Sequence, residues 1–352
     1  DNTANHSYRV ASYALILAKL ENKKNKHTLN EEKLILKALF HDVNEVLTGP
    51  IRFETKNNKK LKKLIQLLEK NKSEEVLDML PPGMKDYFSE YIVDGIDDSI
   101  EGKFLEEVDS FDAFIFSRRE VRSGNTVYFS KVYERLYNKL VESPFESIRE
   151  AVAEVNKEES DFKDLLQTIL NMDKIKRWSG RINHFDDDDA MHSYRVAAFL
   201  ALLAKYEEIT KQKKYDLTLA LGKALFHDLA ESITGDINGP VKHSSKKLKG
   251  AFESFEKQVS KELLEKLPAH IQAEFEKMFL YPKDTTKAGT YVDIMDKTDA
   301  LLKSLVELGY ANNEYRNTYK KQLKILQRKY KDEYIIEYFL KEILHDLYFY
   351  YL

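Results

Sequence analysis

Residues 223–236, KALFHDLAESITGD, decide the fold of this chain. The first six letters occur once more, as Lys37 to Asp42, 186 residues earlier. In both copies an apolar segment with helical spacing ends on a His-Asp pair, and a Glu follows three residues after the Asp. Side chains three and four positions apart lie on one helix face. We therefore expect His227, Asp228 and Glu231 to face a common site.

A second motif shows that the repetition covers whole domains. HSYRVA begins at His6 and again at His192, which is the same offset of 186 residues. A third match, near Asp112 and Asp299, needs one inserted residue. A repeat unit of this length is one domain, so the sequence predicts a tandem pair rather than a solenoid. We place the two domains at residues 1–160 and 161–352, separated near a charged stretch at 157–161.

The composition indicates an all-α protein. The 352 residues exceed the usual size of one hydrophobic core, and 43% hydrophobic with 33% charged residues is typical of a globular chain. Only 12 Gly and 7 Pro interrupt long segments in which apolar residues recur every three or four positions. We expect two tandem helical bundles.

The net charge and the hydropathy of the chain limit the classes of partner that we expect. A net charge of −3 gives no reason to expect nucleic-acid binding, and no apolar run approaches the ~20 residues of a membrane-spanning helix. With zero Cys, the chain has neither disulfides nor thiolate metal ligands. We expect a cytoplasmic location and no membrane partner.

Each repeat contains two His and two Asp that could bind a metal. A buried, satisfied His-Asp pair is the alternative, but both pairs recur with the same upstream His and downstream Asp. Mixed nitrogen and oxygen donors suit Mn, Co, Fe or Mg better than structural Zn, and such an ion can activate water for phosphoester hydrolysis. We expect one divalent ion per domain. The predicted ligands are His6, His41, Asp42 and Asp112 in the first repeat, and His192, His227, Asp228 and Asp299 in the second.

These motifs resemble the HD-domain phosphohydrolase superfamily. Within it, the second repeat is similar nearly end to end to the bacterial 5′-deoxynucleotidases of the YfbR-like family, and the first repeat is similar more weakly. The resemblance rests on Arg177-Trp178, His192-Ser193, HDLAE at 227–231, TGD at 234–236, PVK at 240–242, TDAL at 298–301 and NNE at 312–314.

The resemblance implies roles for the second repeat. The four predicted ligands would hold the metal, and Glu231 would position or deprotonate the attacking water. Arg177 would bind the phosphate, for which a guanidinium is well suited. Apart from the resemblance, the basic stretch that begins at Lys242 fits either a phosphate contact or the start of a surface helix. Trp178 and Asp236 would line the nucleoside side of the site.

The first repeat departs from this pattern. Pro50 stands where the second repeat has Asp236, although Glu45 and the four predicted ligands are kept. The counterpart of Arg177 would fall before Asp1. Either a second active site with altered selectivity, in which Glu45 is catalytic, or a metal-holding partner domain fits this sequence.

Three classes of function remain open at this stage. The first is a metal-dependent phosphatase of deoxynucleoside monophosphates, and the second is an HD-type hydrolase of nucleoside triphosphates or a signalling nucleotide. The third is a non-catalytic, metal-bound nucleotide sensor or scaffold. Because single-repeat relatives are expected to form homodimers, we expect the two repeats to pack as an intramolecular pseudo-dimer, either monomeric or in a higher homo-oligomer. We interpret the acidic run Asp186 to Asp189 as a solvated helix start.

Overall fold

The computed structural model describes residues 2–24, 28–51, 53–56, 58–237, 239–242 and 244–351. The chain divides into two compact units, Asp1–Leu170 and Asn171–Leu352. The described residues form helices, with an isolated β-bridge between Lys176 and Asp188, which confirms the all-α prediction. No helix among the described residues has the length and apolar character needed to cross a membrane.

The first unit is built around three helices that meet beside His6. The N-terminal helix carries His6, the second ends next to His41, and the longest helix of the unit packs against both. Its helices are α1 (Thr3–Lys23), α2 (Glu31–Phe40), α3 (Glu45–Thr48), α4 (Phe53–Lys56), α5 (Lys62–Asp78), α6 (Met84–Ile92), α7 (Ile100–Arg122), α8 (Thr126–Leu140), α9 (Glu146–Asn156) and α10 (Asp161–Asn171).

The second unit repeats the central three helices as α11, α12 and α17. Short 3₁₀ helices cover Met172–Lys174 and Asn313–Tyr315, and a π-helical turn covers Phe339–Ile343. Its α-helices are α11 (Asp189–Lys211), α12 (Leu217–Phe226), α13 (Glu231–Thr234), α14 (Gly239–Lys242), α15 (Lys246–Glu265), α16 (Ala269–Leu280), α17 (Lys287–Gly309), α18 (Arg316–Lys329), α19 (Tyr334–Tyr338) and α20 (Leu344–Tyr351).

Equivalent helices begin with equivalent caps. In the first unit, side chains of Asn2, Asn30 and Ser99 accept a hydrogen bond from the first turn of α1, α2 and α7. Asp188, Asp216 and Thr286 do the same for α11, α12 and α17. A cap side chain satisfies an amide that the helix itself leaves unpaired, so both repeats fix the same three starting points.

Helix α10 begins the predicted second domain but packs with the first unit. The Tyr13 hydroxyl donates to the Leu166 carbonyl at 3.0 Å, and Arg119 donates to the Leu170 carbonyl at 3.2 Å. The division by compactness thus follows Leu170. The sequence boundary between residues 160 and 161 stays a prediction.

A buried lysine joins α12 to the turn before α17. Lys223 is fully buried; its ammonium donates to the Tyr281 carbonyl at 2.7 Å and lies 2.7 Å from the Asp284 carboxylate. Lys37 occupies the equivalent position in the first unit and is also fully buried. The ammonium thus fixes the turn by satisfying polar groups at two of its positions.

We expect Lys223→Met to lower the free energy of unfolding of the second unit by about 2–4 kcal/mol, because it leaves a carbonyl and a carboxylate without their partner. Urea unfolding followed by circular dichroism measures the change. Lys261→Met removes an exposed lysine of α15 paired with Glu265 and should shift the unfolding free energy by less than about 0.5 kcal/mol. Equal urea midpoints for the two variants would contradict the prediction.

Candidate metal centre and cleft

Two imidazoles and a carboxylate converge where α11, α12 and α17 of the second unit meet. His192 lies on α11, and His227 and Asp228 follow the last residue of α12. The Nε2 atoms of the two histidines are 3.1 Å apart, and Asp228 Oδ2 lies 3.4 Å from His192 Nε2 and 3.1 Å from His227 Nε2. These three residues each offer one ligand atom within 4.8 Å of the others.

The hydrogen bonds on the other ring nitrogens suit a metal. His227 Nδ1 lies 2.7 Å from the Ala224 carbonyl, which can only accept, so Nδ1 carries the proton. His192 Nδ1 lies 2.7 Å from Asp299 Oδ2, which fixes the same tautomer when the carboxylate is ionised. When both rings are neutral, both Nε2 atoms present lone pairs to each other, an arrangement that a cation stabilises. Although burial and Arg177 act against it, Asp299, Asp228 and Asp296 raise the pKa of His192, so a proton and a metal ion compete for its Nε2. Burial lowers the pKa of His227, with the Lys283 ammonium acting in the same direction and Asp228 opposing, which favours the neutral ligand form.

The structure brings Asp296, rather than Asp299, to the cluster. Asp296 Oδ1 lies 3.5 Å from His192 Nε2, whereas Asp299 lies at the opposite ring nitrogen. Both Asp299 oxygens are occupied, because the Arg195 Nε donates to Oδ1 at 2.5 Å and His192 Nδ1 contacts Oδ2. Although burial acts against it, Arg195 holds the pKa of Asp299 well below the usual range. In this arrangement Asp299 orients His192, and the ligand role derived from the resemblance stays a prediction.

The first unit shows the same arrangement. His6 Nδ1 lies 2.8 Å from Asp112 Oδ2, and Arg9 Nε donates to Asp112 Oδ1 at 2.6 Å. Asp109 Oδ1, one turn earlier on α7, lies 3.1 Å from His6 Nε2. His6, His41 and Asp109 form the ligand group of this unit, in which the carboxylate comes from the counterpart of Asp296 and not from that of Asp228. The buried Nε2 of His41 has no hydrogen-bond partner. Asp42 Oδ2 lies 3.6 Å from His6 Nε2 and 3.5 Å from His41 Nε2.

Arg177 is held beside the second cluster by a short paired ribbon. Its amide donates to the Asp187 carbonyl at 3.1 Å, and the Asp189 amide donates to the Ile175 carbonyl at 3.1 Å. The guanidinium Nη1 donates to Asp189 Oδ1 at 2.9 Å and lies 3.5 Å from Asp228 Oδ2. Its buried Nε has no hydrogen-bond partner. The Nε lies 3.8 Å from Asp187 Oδ2. The ribbon therefore places a buried cation next to the metal cluster, with Nη1 facing Asp228.

Trp178 lies behind Arg177 and is tied to the same network. Its backbone has φ 60°, a left-handed conformation that costs energy in a residue with a side chain. The indole N–H donates to Asp187 Oδ2 at 3.0 Å, and Arg195 donates to Asp187 Oδ1 at 2.9 Å. The indole ring packs 5.4 Å from the Tyr315 ring. Hydrogen bonds thus hold the tryptophan in its strained position.

A cleft of about 580 Å³ opens over this cluster. Arg177, Glu231, Asp236, Lys242 and Lys283 are among its lining residues. Glu231 begins α13, one turn after the His-Asp pair, and its Oε2 is buried without a hydrogen-bond partner. Burial raises its pKa well above the usual value, and the negative charges of two nearby aspartates, Asp228 and Asp189, act in the same direction.

The loop after α13 presents the acid predicted from the sequence. Gly235 has φ 74°, which a residue without a side chain adopts at little cost, and Asp236 follows it. Lys242 pairs with Glu256 of α15 at 2.5 Å. The structure thus brings Arg177, Glu231, Asp236 and Lys242 to one cleft. Trp178 follows Arg177 in the chain and is not among the residues that line the cleft.

In the first unit, the counterpart of Glu231 is Glu45, and its carboxylate has partners. The Thr3 hydroxyl donates to Glu45 Oε2 at 2.6 Å, and the Lys56 ammonium lies 3.7 Å from Oε1. Thr3 occupies the position of Asp189, so the Asp-Arg pair of the second unit has no equivalent at this point. Pro50, at the position of Asp236, is exposed.

Four residues near the cleft were not predicted from the sequence. The run Asp187 to Asp189 is buried, not solvated, because it pairs with Arg177, Trp178 and Arg195. The prediction that this acidic run starts a helix is confirmed, since Asp188 caps α11. A signal for Asp296 was present, because the repeats share two aspartates one turn apart, at 109 and 112 and at 296 and 299. The missed residues are Asp187, Asp189, Lys283 and Asp296.

The sequence matches a known protein family over most of its length. A family model described as "5'-deoxynucleotidase YfbR-like" matches residues 1–158 and 164–347. The chain belongs to this family. The match in two segments also confirms the tandem duplication and the family predicted from the motifs.

The chain is also similar to individual proteins. A "5'-deoxynucleotidase" of Vibrio cholerae serotype O1 is 33% identical over 36% of this chain and 66% of its own length. A "4'-phosphooxetanocin A phosphatase" of Priestia megaterium is 28% identical over 43% of this chain and 76% of its own length. The crystal structure of an HD-domain phosphohydrolase from Listeria innocua is 28% identical, with a TM-score of 0.47, and covers 53% of this chain and 88% of that chain. The matched stretch thus spans just under two thirds of the Vibrio cholerae protein.

Proposed function

We propose that the second unit is a metal-dependent phosphatase that removes the 5′-phosphate of deoxynucleoside monophosphates. The observation that carries the proposal is the cleft itself, which joins a His-His-Asp cluster, an unpaired buried Glu231 and the Arg177 guanidinium. The relatives' names point to the same class of substrate.

We infer that His192, His227 and Asp228 would hold a divalent ion, with Asp296 as the fourth protein ligand. The lone pairs of two imidazoles and the carboxylate oxygens are donors that Mn, Co, Fe or Mg accept. Such an ion supplies Lewis acidity and lowers the pKa of water at the site. The equivalent group in the first unit would hold a second ion.

The chain's own residues would do the rest of the chemistry. Arg177 binds phosphate oxygens through its fixed donors and holds the phosphorus near the cluster. Glu231, whose pKa is raised, exchanges a proton with water or with the leaving oxygen. Asp236 would contact the sugar, and its place in the loop after Gly235 makes it the candidate for selecting deoxyribose.

A substrate panel tests the proposal. The Mn²⁺-loaded chain is incubated with deoxyribonucleoside and ribonucleoside mono-, di- and triphosphates, and phosphate and pyrophosphate are measured separately. We expect phosphate from deoxynucleoside monophosphates in preference to the ribonucleotides. Release of pyrophosphate or triphosphate as the main product would instead support a triphosphate hydrolase. The predicted pseudo-dimer, the absence of nucleic-acid binding and the cytoplasmic location stay predictions.

A further inference from the structure

A short turn before α17 presents Lys283 to the cleft. Lys223 holds the turn on both sides of this residue, through the Tyr281 carbonyl and the Asp284 carboxylate, each at 2.7 Å. The Asp284 carboxylate also accepts from the Thr286 amide at 3.1 Å, which joins the turn to the cap of α17. Lys283 is therefore carried by a rigid support.

The first unit keeps this support and changes the residue at its tip. Lys37 donates to the Asp94 carbonyl at 2.6 Å and lies 3.0 Å from the Asp97 carboxylate, which accepts from the Ser99 amide at 3.1 Å. Between Asp94 and Asp97, the position equivalent to Lys283 is Ile96, whose side chain is exposed. Because the support is the same in both repeats, the lysine is not required for the turn to form.

The Lys283 ammonium lies at the metal cluster on another side from Arg177. Its Nζ is 2.7 Å from Asp296 Oδ2 and 3.7 Å from Asp228 Oδ1. Arg177 approaches the other oxygen of the same aspartate, with Nη1 3.5 Å from Asp228 Oδ2. The Lys283 side chain keeps 31% of its surface exposed, so a ligand in the cleft can reach it. The two cations thus flank Asp228.

The charges beside the cluster favour an ammonium group there. Asp228 and Asp296 line the cleft as carboxylates. Lys283 and Lys297 both pair with Asp296 Oδ2, at 2.7 Å and 2.9 Å. A phosphate monoester is itself an anion, so cations beside these carboxylates lower the repulsion that it meets.

We propose that Lys283 is a substrate-binding residue of the second unit, where its ammonium contacts phosphate oxygens from the side opposite Arg177. This inference rests on the proposed phosphatase function and deepens it. It also explains the difference between the repeats, since the first unit has Ile96 at this position and cannot bind phosphate in the same way.

Phosphate binding tests the proposal without turnover. Inorganic phosphate is titrated calorimetrically into the Mn²⁺-loaded wild-type chain, Lys283→Met and Lys283→Arg, and manganese content is measured on the same samples. Loss of a charged hydrogen bond should raise the phosphate dissociation constant of Lys283→Met on the order of 10- to 100-fold with manganese content unchanged. Lys283→Arg keeps the charge and should recover a large part of the affinity.

Lys287→Met is the matched control, since Lys287 lies four residues away and pairs with Glu333. It should bind phosphate like the wild type. Unchanged phosphate affinity in Lys283→Met would overturn the inference, as would a loss of manganese that accounts for the weaker binding. Neither measurement requires a deoxynucleotide, so the substrate panel can fail while this result stands.

Discussion

Replacing Glu231 by Gln is expected to reduce kcat by about 10²- to 10⁴-fold while metal stays bound, since this is the usual contribution of a positioned acid or base. Gln keeps the size of the side chain but cannot take up the proton. Glu231 suits the role because its Oε2 is buried without a partner, and burial together with Asp228 and Asp189 raises its pKa. Phosphate release from a deoxynucleoside monophosphate and elemental analysis of the same sample give the two readouts.

Glu45→Gln is the matched control in the first unit. The Glu45 carboxylate accepts a hydrogen bond from Thr3 and lies near Lys56. It therefore has partners within its own unit, whereas Glu231 Oε2 has no hydrogen-bond partner. We expect a small change in turnover. If Glu45→Gln abolished activity while Glu231→Gln retained it, the first unit would be the hydrolase and the second its partner.

Asp296→Cys is expected to create a thiolate-to-cobalt absorption band when the chain is loaded with Co²⁺. A thiolate gives this band only when it binds the ion directly, and the native chain contains no Cys. Asp296 meets the condition because its Oδ1 faces His192 Nε2 at 3.5 Å. The expected result is thus an absorption band that the Co²⁺-loaded wild type lacks.

Asp299→Cys provides the comparison one turn later on α17. Its side chain points at His192 Nδ1 and is bound by Arg195, so we expect no such band. Elemental analysis of the wild type should find about two ions per chain, one for each cluster. A band from Asp299→Cys and none from Asp296→Cys would restore the ligand set derived from the sequence.

Local patterns predicted the scaffold correctly. Apolar spacing and a scarcity of Gly and Pro depend on short stretches of chain, and the helices they predict are present in the described residues. The repeated HSYRVA and KALFHD motifs likewise predicted which histidines converge. His192 lies near the start of α11, and His227 and Asp228 follow the end of α12. The apolar spacing of each helix determines which of its faces packs, and this packing brings the three residues together.

What the sequence did not determine depends on contacts between distant segments. Asp296 and Asp299 are neighbours on one face of α17, and which of them faces the cluster depends on Arg195 of α11. Similarly, the acidic run before His192 is typical of a solvated helix start. It is buried because a strained turn eight to twelve residues upstream brings Arg177 and Trp178 against it.

The hydrogen bonds behind the cleft have a consequence for interpreting variants. From the indole of Trp178 they pass through Asp187, Arg195 and Asp299 to the ring of His192. Substitutions at the two ends of such a series share partners, so their free-energy effects should not add. A double-mutant cycle between Trp178 and Asp299 would measure this coupling, and without it a change in KM at the tryptophan cannot be separated from a change in the geometry of His192.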